Sequence, residues 1–288
     1  MVYKIYSYAK ITLFLDVISK RTDGYHNVKI ILQNIDLYDL LFIKTLKSPY
    51  FILKSNYDIP LQKNLIYKAY SKFIEKTKYP IGLEIFHYKK IPIGGGLGGG
   101  SSNAGSILYF LNFITKFGLS KEDLSQLAIQ LGSDVPFFLY GGTALAEEKG
   151  EKITKLKNLP SYFVLLILPN FSISTKEIYG EIKERDLGEH LDWKNVISNI
   201  NNQKLTGTFN LFEDIVFRKY RIIKDIKEFL LLFTPLVSLS GTGSSIYALF
   251  DDLTQLKKAR EKFIEKFPNS FKIKTCKFVN RGIYIKGV

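Results

Sequence analysis

The sequence predicts an α+β fold on three observations. Residues 2–54 read as strands, with β-rich alternation over Lys10–Ile18, Val28–Ile35 and Tyr38–Thr45. From Leu61 onward helices and strands alternate, but the strands look antiparallel, which argues against a doubly wound sheet. A chain of 288 residues, 46% hydrophobic, is long enough to bury one large core or two modest ones.

The elements follow in order. Leu61–Lys78 has helical spacing through Leu65, Ala69 and Phe73 and stops before Pro80. A strand at about Ile81–His87 feeds a glycine-rich run, after which Ala104, Ile107, Leu108 and Leu111 repeat at helical spacing. Ser120-Lys121-Glu122-Asp123 is a capping box ahead of Leu124, Leu127, Ala128 and Leu131, so a helix runs there and ends at Gly132. Asn158–Ser161 reads as a linker and Tyr162–Leu168 as a buried strand ended by Pro169. Helices are predicted at about Thr175–Glu184, Trp193–Ile200, Arg218–Leu232 and Leu253–Lys266. Strands are predicted at Leu236–Leu239, Ile246–Phe250, near Lys272–Phe278 and at Ile283–Ile285. The linker divides the chain into expected domains 1–160 and 161–288.

Composition narrows the function classes. The single cysteine, Cys276, precludes an intramolecular disulfide and fits a reducing cytosol, so a cytoplasmic protein is expected. No apolar run approaches a membrane span, and Met1–Tyr6 alternates like a strand rather than a targeting peptide. The net charge of +14 invites a nucleic-acid reading. Its lysines, however, are interleaved with acids, as in Lys257-Lys258-Ala259-Arg260-Glu261-Lys262, and no nucleic-acid module accompanies them. A basic field also attracts polyphosphates.

The most specific stretch is Pro92-Ile93-Gly94-Gly95-Gly96-Leu97-Gly98-Gly99-Gly100-Ser101-Ser102-Asn103. Six glycines within seven residues, opening into a helix, let the backbone approach a ligand closely while the helix start offers free N–H groups. This is a phosphate cradle without the lysine of a Walker A loop, so other cations must meet the phosphate charge. Three further motifs accompany it. They are Ser7-Tyr8-Ala9-Lys10-Ile11-Thr12 with Asp23-Gly24-Tyr25-His26, then Leu131-Gly132-Ser133-Asp134-Val135-Pro136, then Ser240-Gly241-Thr242-Gly243-Ser244-Ser245.

Four such motifs in this order resemble the GHMP kinase superfamily, from Lys10 to Ser245. The Asp-Gly-Tyr-His element and the form of the glycine loop are similar to its branch acting on a cytidine-diphosphate-linked methylerythritol. The resemblance implies a two-lobed α+β fold with the active site in the cleft between the lobes. It implies an ATP-dependent kinase with Mg²⁺, a small-molecule acceptor, and neither nucleic acid nor membrane as partner. A monomer or weak homodimer is expected. Asp134 and Lys10 stand at the positions of the family's catalytic pair. His26 would recognise cytosine, with Tyr25 and Tyr179 as aromatic partners and Lys149 adding charge at the cytidine end.

Chemistry agrees with these roles. Phosphoryl transfer to an alcohol needs an in-line phosphate, charge neutralisation and a group that accepts the hydroxyl proton. Pro136 restricts the backbone just beyond Asp134. Lys10 can steady that carboxylate and face the migrating phosphoryl group. Gly241, Thr242 and Gly243 form a second N–H-rich turn suited to a diphosphate. Asn64-Leu65-Ile66 and Lys90-Ile91 are candidates for the adenine side, and no residue is named as a metal ligand.

The chain departs from the family pattern at Tyr8, where proline is usual, and at Thr12, where asparagine is usual. Thr12 would then orient the acceptor alcohol with a hydroxyl or through water. His87 and His190 have no motif context and are read as surface or packing residues. Two readings compete with the main one: another small-molecule kinase of homoserine or mevalonate type, and an inactive sensor on the same fold. The first leaves Asp23–His26 without a role, and the second leaves Lys10 and Asp134 without one.

Overall fold

A computed structural model describes residues 2–268 and 271–287. Two long strands, β1 (Val2–Lys20) and β2 (His26–Leu46), form an antiparallel hairpin closed by the turn at 21–25. The two segments expected at Val28–Ile35 and Tyr38–Thr45 are one strand. Its register on β1 jumps from Tyr8↔Tyr38 to Ala9↔Ile35, so Asp36 and Leu37 are accommodated as a bulge. Bulges bend a strand and change its twist, which lets one hairpin serve three cores. Ile5, Leu41 and Ile43 pack in one, Leu15, Val17, Val28, Ile30 and Leu32 in a second, and Ala9, Ile11, Leu13 and Ile31 in a third.

The first lobe is completed by β3 (Phe51–Ser55), α1 (Leu65–Thr77), β4 (Gly82–Tyr88), α2 (Gly99–Thr115) and α3 (Lys121–Ile129). Asn64 caps α1 through Ile66 N, and the Ser120–Asp123 capping box at α3 is present as the sequence predicts. Three elements then have no counterpart in the sequence expectation: α4 (Val135–Tyr140), β5 (Thr143–Glu148) and β6 (Lys152–Lys155). In α4 the four consecutive residues Val135–Phe138 are all buried, so no amphipathic period marks this short helix.

The second lobe contains β7 (Phe163–Leu168), α5 (Thr175–Gly180), α6 (Trp193–Asn201), β8 (Phe209–Asn210), α7 (Phe212–Lys219), α8 (Arg221–Leu230), β9 (Val237–Leu239), β10 (Ile246–Phe250), α9 (Leu253–Lys266) and β11 (Lys272–Lys277). The helix expected over Arg218–Leu232 is α8, which starts only at Arg221 because the backbone of Tyr220 leaves the helical region (φ −128°, ψ 76°) as its ring stacks on Phe171; α7 before it lies outside the expectation but for Arg218 and Lys219. Likewise α5 ends at Gly180, short of the expected Glu184.

Strands β11-β7-β10-β9 form an antiparallel four-stranded sheet, and β12 (Ile283–Gly287) returns to the first sheet. That first sheet runs β12-β1-β2-β4-β3, with β5 on β2 and β6 on β5. Its pairings are antiparallel except β3·β4 and β1·β8, in keeping with the α+β expectation. The boundary expected at residue 160 falls between the two sheets, yet β8 and β12 cross it to pair with β1.

The outer edge of β1 is therefore covered by β12 at Tyr3–Ser7 and by β8 at Phe14–Leu15. The backbone between them carries Lys10 and Thr12. There the glycine loop docks instead, and Lys10 N donates to Leu97 O at 3.0 Å.

Cys276 faces the core between the sheets, and burial pushes its thiol up to about 12. Thiolate is the reactive form. Alkylation of the native protein at pH 8 is thus expected to run at least about tenfold slower than after unfolding in guanidinium. Equal rates in a thiol-trapping assay would place Cys276 outside this core.

Candidate active site

The glycine run divides between loop and helix. Gly94, Gly96 and Gly98 have positive φ (72°, 74° and 68°), and Gly98 is the N-cap of α2. The helix thus begins at Gly99, five residues earlier than its apolar repeat indicates. Helical spacing is invisible in residues that have no side chain to pattern. The N–H groups at this helix start, with the dipole's positive end, face a cavity of about 290 Å³ lined by Pro92, Ile93, Gly94, Gly95, Gly96, Leu97, Gly98, Gly99, Gly100 and Ser101. Ile59, Lys63, Asn64, Leu65, His87, Lys89 and Asn103 close the other side.

Ser102 does not line it: its Oγ donates to Tyr8 O at 2.7 Å, inside the fold. Of the adenine-side candidates, Asn64 and Leu65 line this cavity, Ile66 and Ile91 are buried, and Lys90 faces a neighbouring groove. That groove, about 1010 Å³, is the larger cavity, but it shares only Lys89, Pro92 and Ile93 with the glycine-loop cavity and contains neither Lys10 nor Asp134.

A second cavity, about 140 Å³, adjoins the first through Gly96 and Gly98. It brings together Lys10, Thr12, Asp134, Tyr179, Gly241 and Thr242, drawn from four separate places in the sequence. Lys10 is buried, and its Nζ lies 3.7 Å from Asp134 Oδ2 and 3.3 Å from Thr12 Oγ1. Low dielectric around a buried ammonium strengthens its field at the neighbouring carboxylate. Asp134 occupies the N-cap of α4, but its side chain makes no capping hydrogen bond. An aspartate at a helix start ordinarily caps; this one is left open to the cavity.

Thr12 is fully buried, and its carbonyl accepts from Tyr247 Oη at 2.7 Å. Its hydroxyl is already engaged by Lys10, so the threonine that stands in place of asparagine fixes the lysine in the first instance.

The late glycine turn packs directly on the glycine loop. Ser240 Oγ donates to Gly96 O at 2.9 Å, and Ser245 N to Gly95 O at 3.3 Å. Asn210 holds the turn from beneath, donating to Leu239 O (2.9 Å) and Gly241 O (2.7 Å). Gly241 and Thr242 face the cavity, whereas Gly243 turns towards Leu239 and Ile173. Thr242 Oγ1 lies 3.1 Å from Thr175 Oγ1 at the start of α5, the helix that carries Tyr179.

Two of the aromatic candidates, His26 and Tyr179, meet, and Tyr179 lines the cavity of the Lys10–Asp134 pair, whereas Tyr25 stands apart. The His26 and Tyr179 rings are 5.3 Å apart, and Tyr179 meets Phe212 edge-on at 4.8 Å. Burial and the nearby Asp134 charge raise the Tyr179 hydroxyl far above the usual tyrosine range. Burial, with Lys20 adding to it, lowers the His26 imidazole below 6.5, so at neutral pH it is uncharged and offers one donor and one acceptor. Tyr25 is exposed on the hairpin turn, with Lys149 Nζ 5.3 Å from its ring centroid. Such a cation–π contact at an exposed site is worth only about 0.5–1 kcal/mol, and Lys149 also lies 3.9 Å from Glu151.

His190 bonds Asp16 through Nδ1 at 2.7 Å, and His87 lies inside rather than on the surface, 3.1 Å from Asn103. Asp39, Lys89 and Asn210 were not singled out by the sequence. For Asp39 a signal exists, since it is a carboxylate amid the apolar residues Leu37, Leu40 and Leu41 of one strand.

Known proteins resemble this chain in sequence and in fold. Residues 64–142 match the GHMP kinases N terminal domain and residues 184–269 the GHMP kinases C terminal domain. The chain is 38% identical over 275 residues to the 4-diphosphocytidyl-2-C-methyl-D-erythritol kinase of Clostridium botulinum (strain Langeland), covering 93% of this chain and 98% of that protein. The enzyme of the same name from Clostridium beijerinckii is 36% identical over 278 residues, covering 94% and 99%. A crystal structure of 4-(cytidine 5'-diphospho)-2C-methyl-D-erythritol kinase superposes with a TM-score of 0.82 at 28% identity, covering 96% of this chain and 98% of that one. The homoserine kinase of Cytophaga hutchinsonii shares the fold at 17% identity and a TM-score of 0.75, covering 99% and 97%.

Proposed function

This chain belongs to the GHMP kinases, within them to the 4-diphosphocytidyl-2-C-methyl-D-erythritol kinase family, and we propose that it transfers a phosphoryl group from ATP to the 2-hydroxyl of that cytidylated alcohol. The products are the 2-phosphate and ADP, in the non-mevalonate route to isoprenoid precursors. The observation that carries the reading is the joined pair of cavities. A glycine-lined cradle opens through Gly96 and Gly98 onto Lys10 and Asp134, with His26 and Tyr179 beyond.

The cradle fits a nucleotide. A Cβ at Gly99 would stand 2.7 Å from Lys89 Nζ and one at Gly98 2.8 Å from Phe138, so the backbone there is bare by necessity. Asn103, whose Oδ1 is buried and without a partner among the described residues, is one of the residues lining the same cavity. ATP supplies the phosphoryl group. The helix-start N–H groups bind the phosphates, Lys10 faces the transferred group, and Asp134 accepts the proton from the attacking hydroxyl. Thr12 keeps Lys10 in place. Among the described residues no three acids, histidines or cysteines converge as a metal site. Mg²⁺ is proposed to arrive with ATP, held by phosphates and waters, and no step is assigned to a protein ligand.

The acceptor side rests on neutral His26, which can pair with the amide-like edge of cytosine while Tyr25 and Tyr179 offer ring faces. His26→Ala is expected to raise KM for the cytidylated substrate by about 10²-fold, with KM for ATP within about twofold. Because the imidazole titrates below 6.5, KM for the cytidylated substrate should be flat from neutral pH upward and rise as the ring protonates in acid. Equal changes in both KM values would remove His26 from the cytosine pocket.

A coupled ADP-release assay with ATP and Mg²⁺ tests the whole reading. Turnover is expected on the cytidylated alcohol and not on homoserine, mevalonate or galactose. ATP binding without turnover on any of them would favour the sensor reading instead.

A further inference from the structure

Beneath the glycine loop lies a buried polar cluster that the proposed chemistry leaves unused. At its centre is Asp39, on β2, with no exposed surface. Its Oδ1 accepts the backbone N–H groups of Lys90 (2.7 Å) and Ile91 (2.8 Å). Its Oδ2 accepts from the Lys89 ammonium and from Asn103 Nδ2 at 2.9 Å. Asn103 Nδ2 also lies 3.1 Å from His87 Nε2, whose Nδ1 is 3.2 Å from Ser55 Oγ.

One carboxylate thereby ties together the two ends of the glycine loop. Residues 89–91 are the strand exit that leads into Pro92, and Asn103 lies on α2 just past its first turn. The Lys89 ammonium in turn fills the space beside Gly99, where a Cβ would come within 2.7 Å of it. Burial pushes the Asp39 carboxyl up, but the hydrogen bond from His87, the Lys89 charge and the N–H of Ile91 outweigh it and bring it down to about 2. Burial lowers the Lys89 ammonium while Asp39 raises it. A charge this enclosed, with its oxygens on two separate segments, is a fixed point rather than a flexible contact.

We propose that Asp39 is a positioning residue for the nucleotide, clamping the entry and the exit of the glycine loop to β2 so that the α2 N–H groups stand where phosphates are received. It touches no ligand and acts through Lys89, the 90–91 backbone and Asn103. The inference rests on the nucleotide cavity being the ATP site, and not on which alcohol is phosphorylated.

The test is calorimetric titration of a non-hydrolysable ATP analogue with Mg²⁺ into wild type, Asp39→Asn, Asn103→Ala and the double variant. Asp39→Asn keeps an acceptor for the 90–91 backbone but sets an amide against Lys89 and Asn103. It is expected to weaken analogue binding at least about tenfold, and KM for the cytidylated acceptor should stay within about twofold. Asn103→Ala cuts the helix end of the clamp alone and decides the matter should Asp39→Asn fail to fold. Its loss and that of Asp39→Asn should be less than additive in the double variant. Wild-type analogue affinity in a folded Asp39→Asn or Asn103→Ala protein would overturn the proposal. So would a parallel rise of both KM values with a lowered Tm, the mark of a purely structural residue. Absence of analogue binding by the wild type would instead bring down the ATP-site reading, and this inference with it.

Discussion

Replacing Asp134 with alanine is expected to lower kcat by about 10³-fold, the range removed with a general base. Binding of ATP should stay within about twofold, because the glycine-loop cavity is built without this residue. Stability should change through the buried Lys10 ammonium left without its carboxylate, and not through the helix end. Asp134 sits at the N-cap of α4 but its side chain caps nothing, so its loss forfeits none of the roughly 1 kcal/mol that a capping side chain contributes. Three measurements on the variant separate chemistry from folding: single-turnover rate, analogue affinity and Tm. Near-normal turnover would remove Asp134 from the reaction and leave Lys10 facing a base yet to be found.

The second large effect concerns backbone rather than charge. Gly96→Ala is expected to reduce kcat/KM for ATP by about 10²-fold or more, since misplacement of about 1 Å in a reacting site has consequences of that size. A Cβ there would lie 1.9 Å from Ser240 O and 2.9 Å from Ser240 C, both backbone atoms, and φ is +74°. Nothing soft can give way, so the two glycine turns must part, and Lys10, whose N–H is held by Leu97 O, moves with them. Gly118→Ala is the control. Its φ of +80° is as strained, but no atom lies within 4 Å. It should lose about 1–2 kcal/mol of stability with KM for ATP unchanged. A Gly96→Ala enzyme with wild-type kinetics would show that the contact between the turns is not needed for nucleotide use.

Much of this site was legible in the sequence because its chemistry is local. The cradle, the Asp-Gly-Tyr-His turn and the late glycine turn are each contiguous, and contiguous residues announce themselves. Strands and helices with a clean period were also readable, and Leu253–Lys266 forms a helix over those same residues. What escaped was of two kinds. Some elements lack a period because burial is uniform, as in α4, or because glycine gives none, as in the first turn of α2. Other features exist only across long separations. Asp39 is joined to Asn103 and Lys89, Asn210 to the late turn, and Ser102 to Tyr8, and no spacing rule reports such partners. The merger of two short segments into β2 belongs here too, since the bulge at Asp36 and Leu37 is defined only against β1.

The pairing of β12 with β1 also has a consequence for how the fold is assembled. The outer edge of β1 is completed from far along the chain, by Phe209–Asn210 and by Ile283–Gly287. An uncovered edge is a template for another chain's strand. Until both segments have docked, β1 therefore carries an open flank. The stretch between the two docked segments carries Lys10 and is covered by the glycine loop instead, so three separate parts of the chain must arrive before this edge is closed.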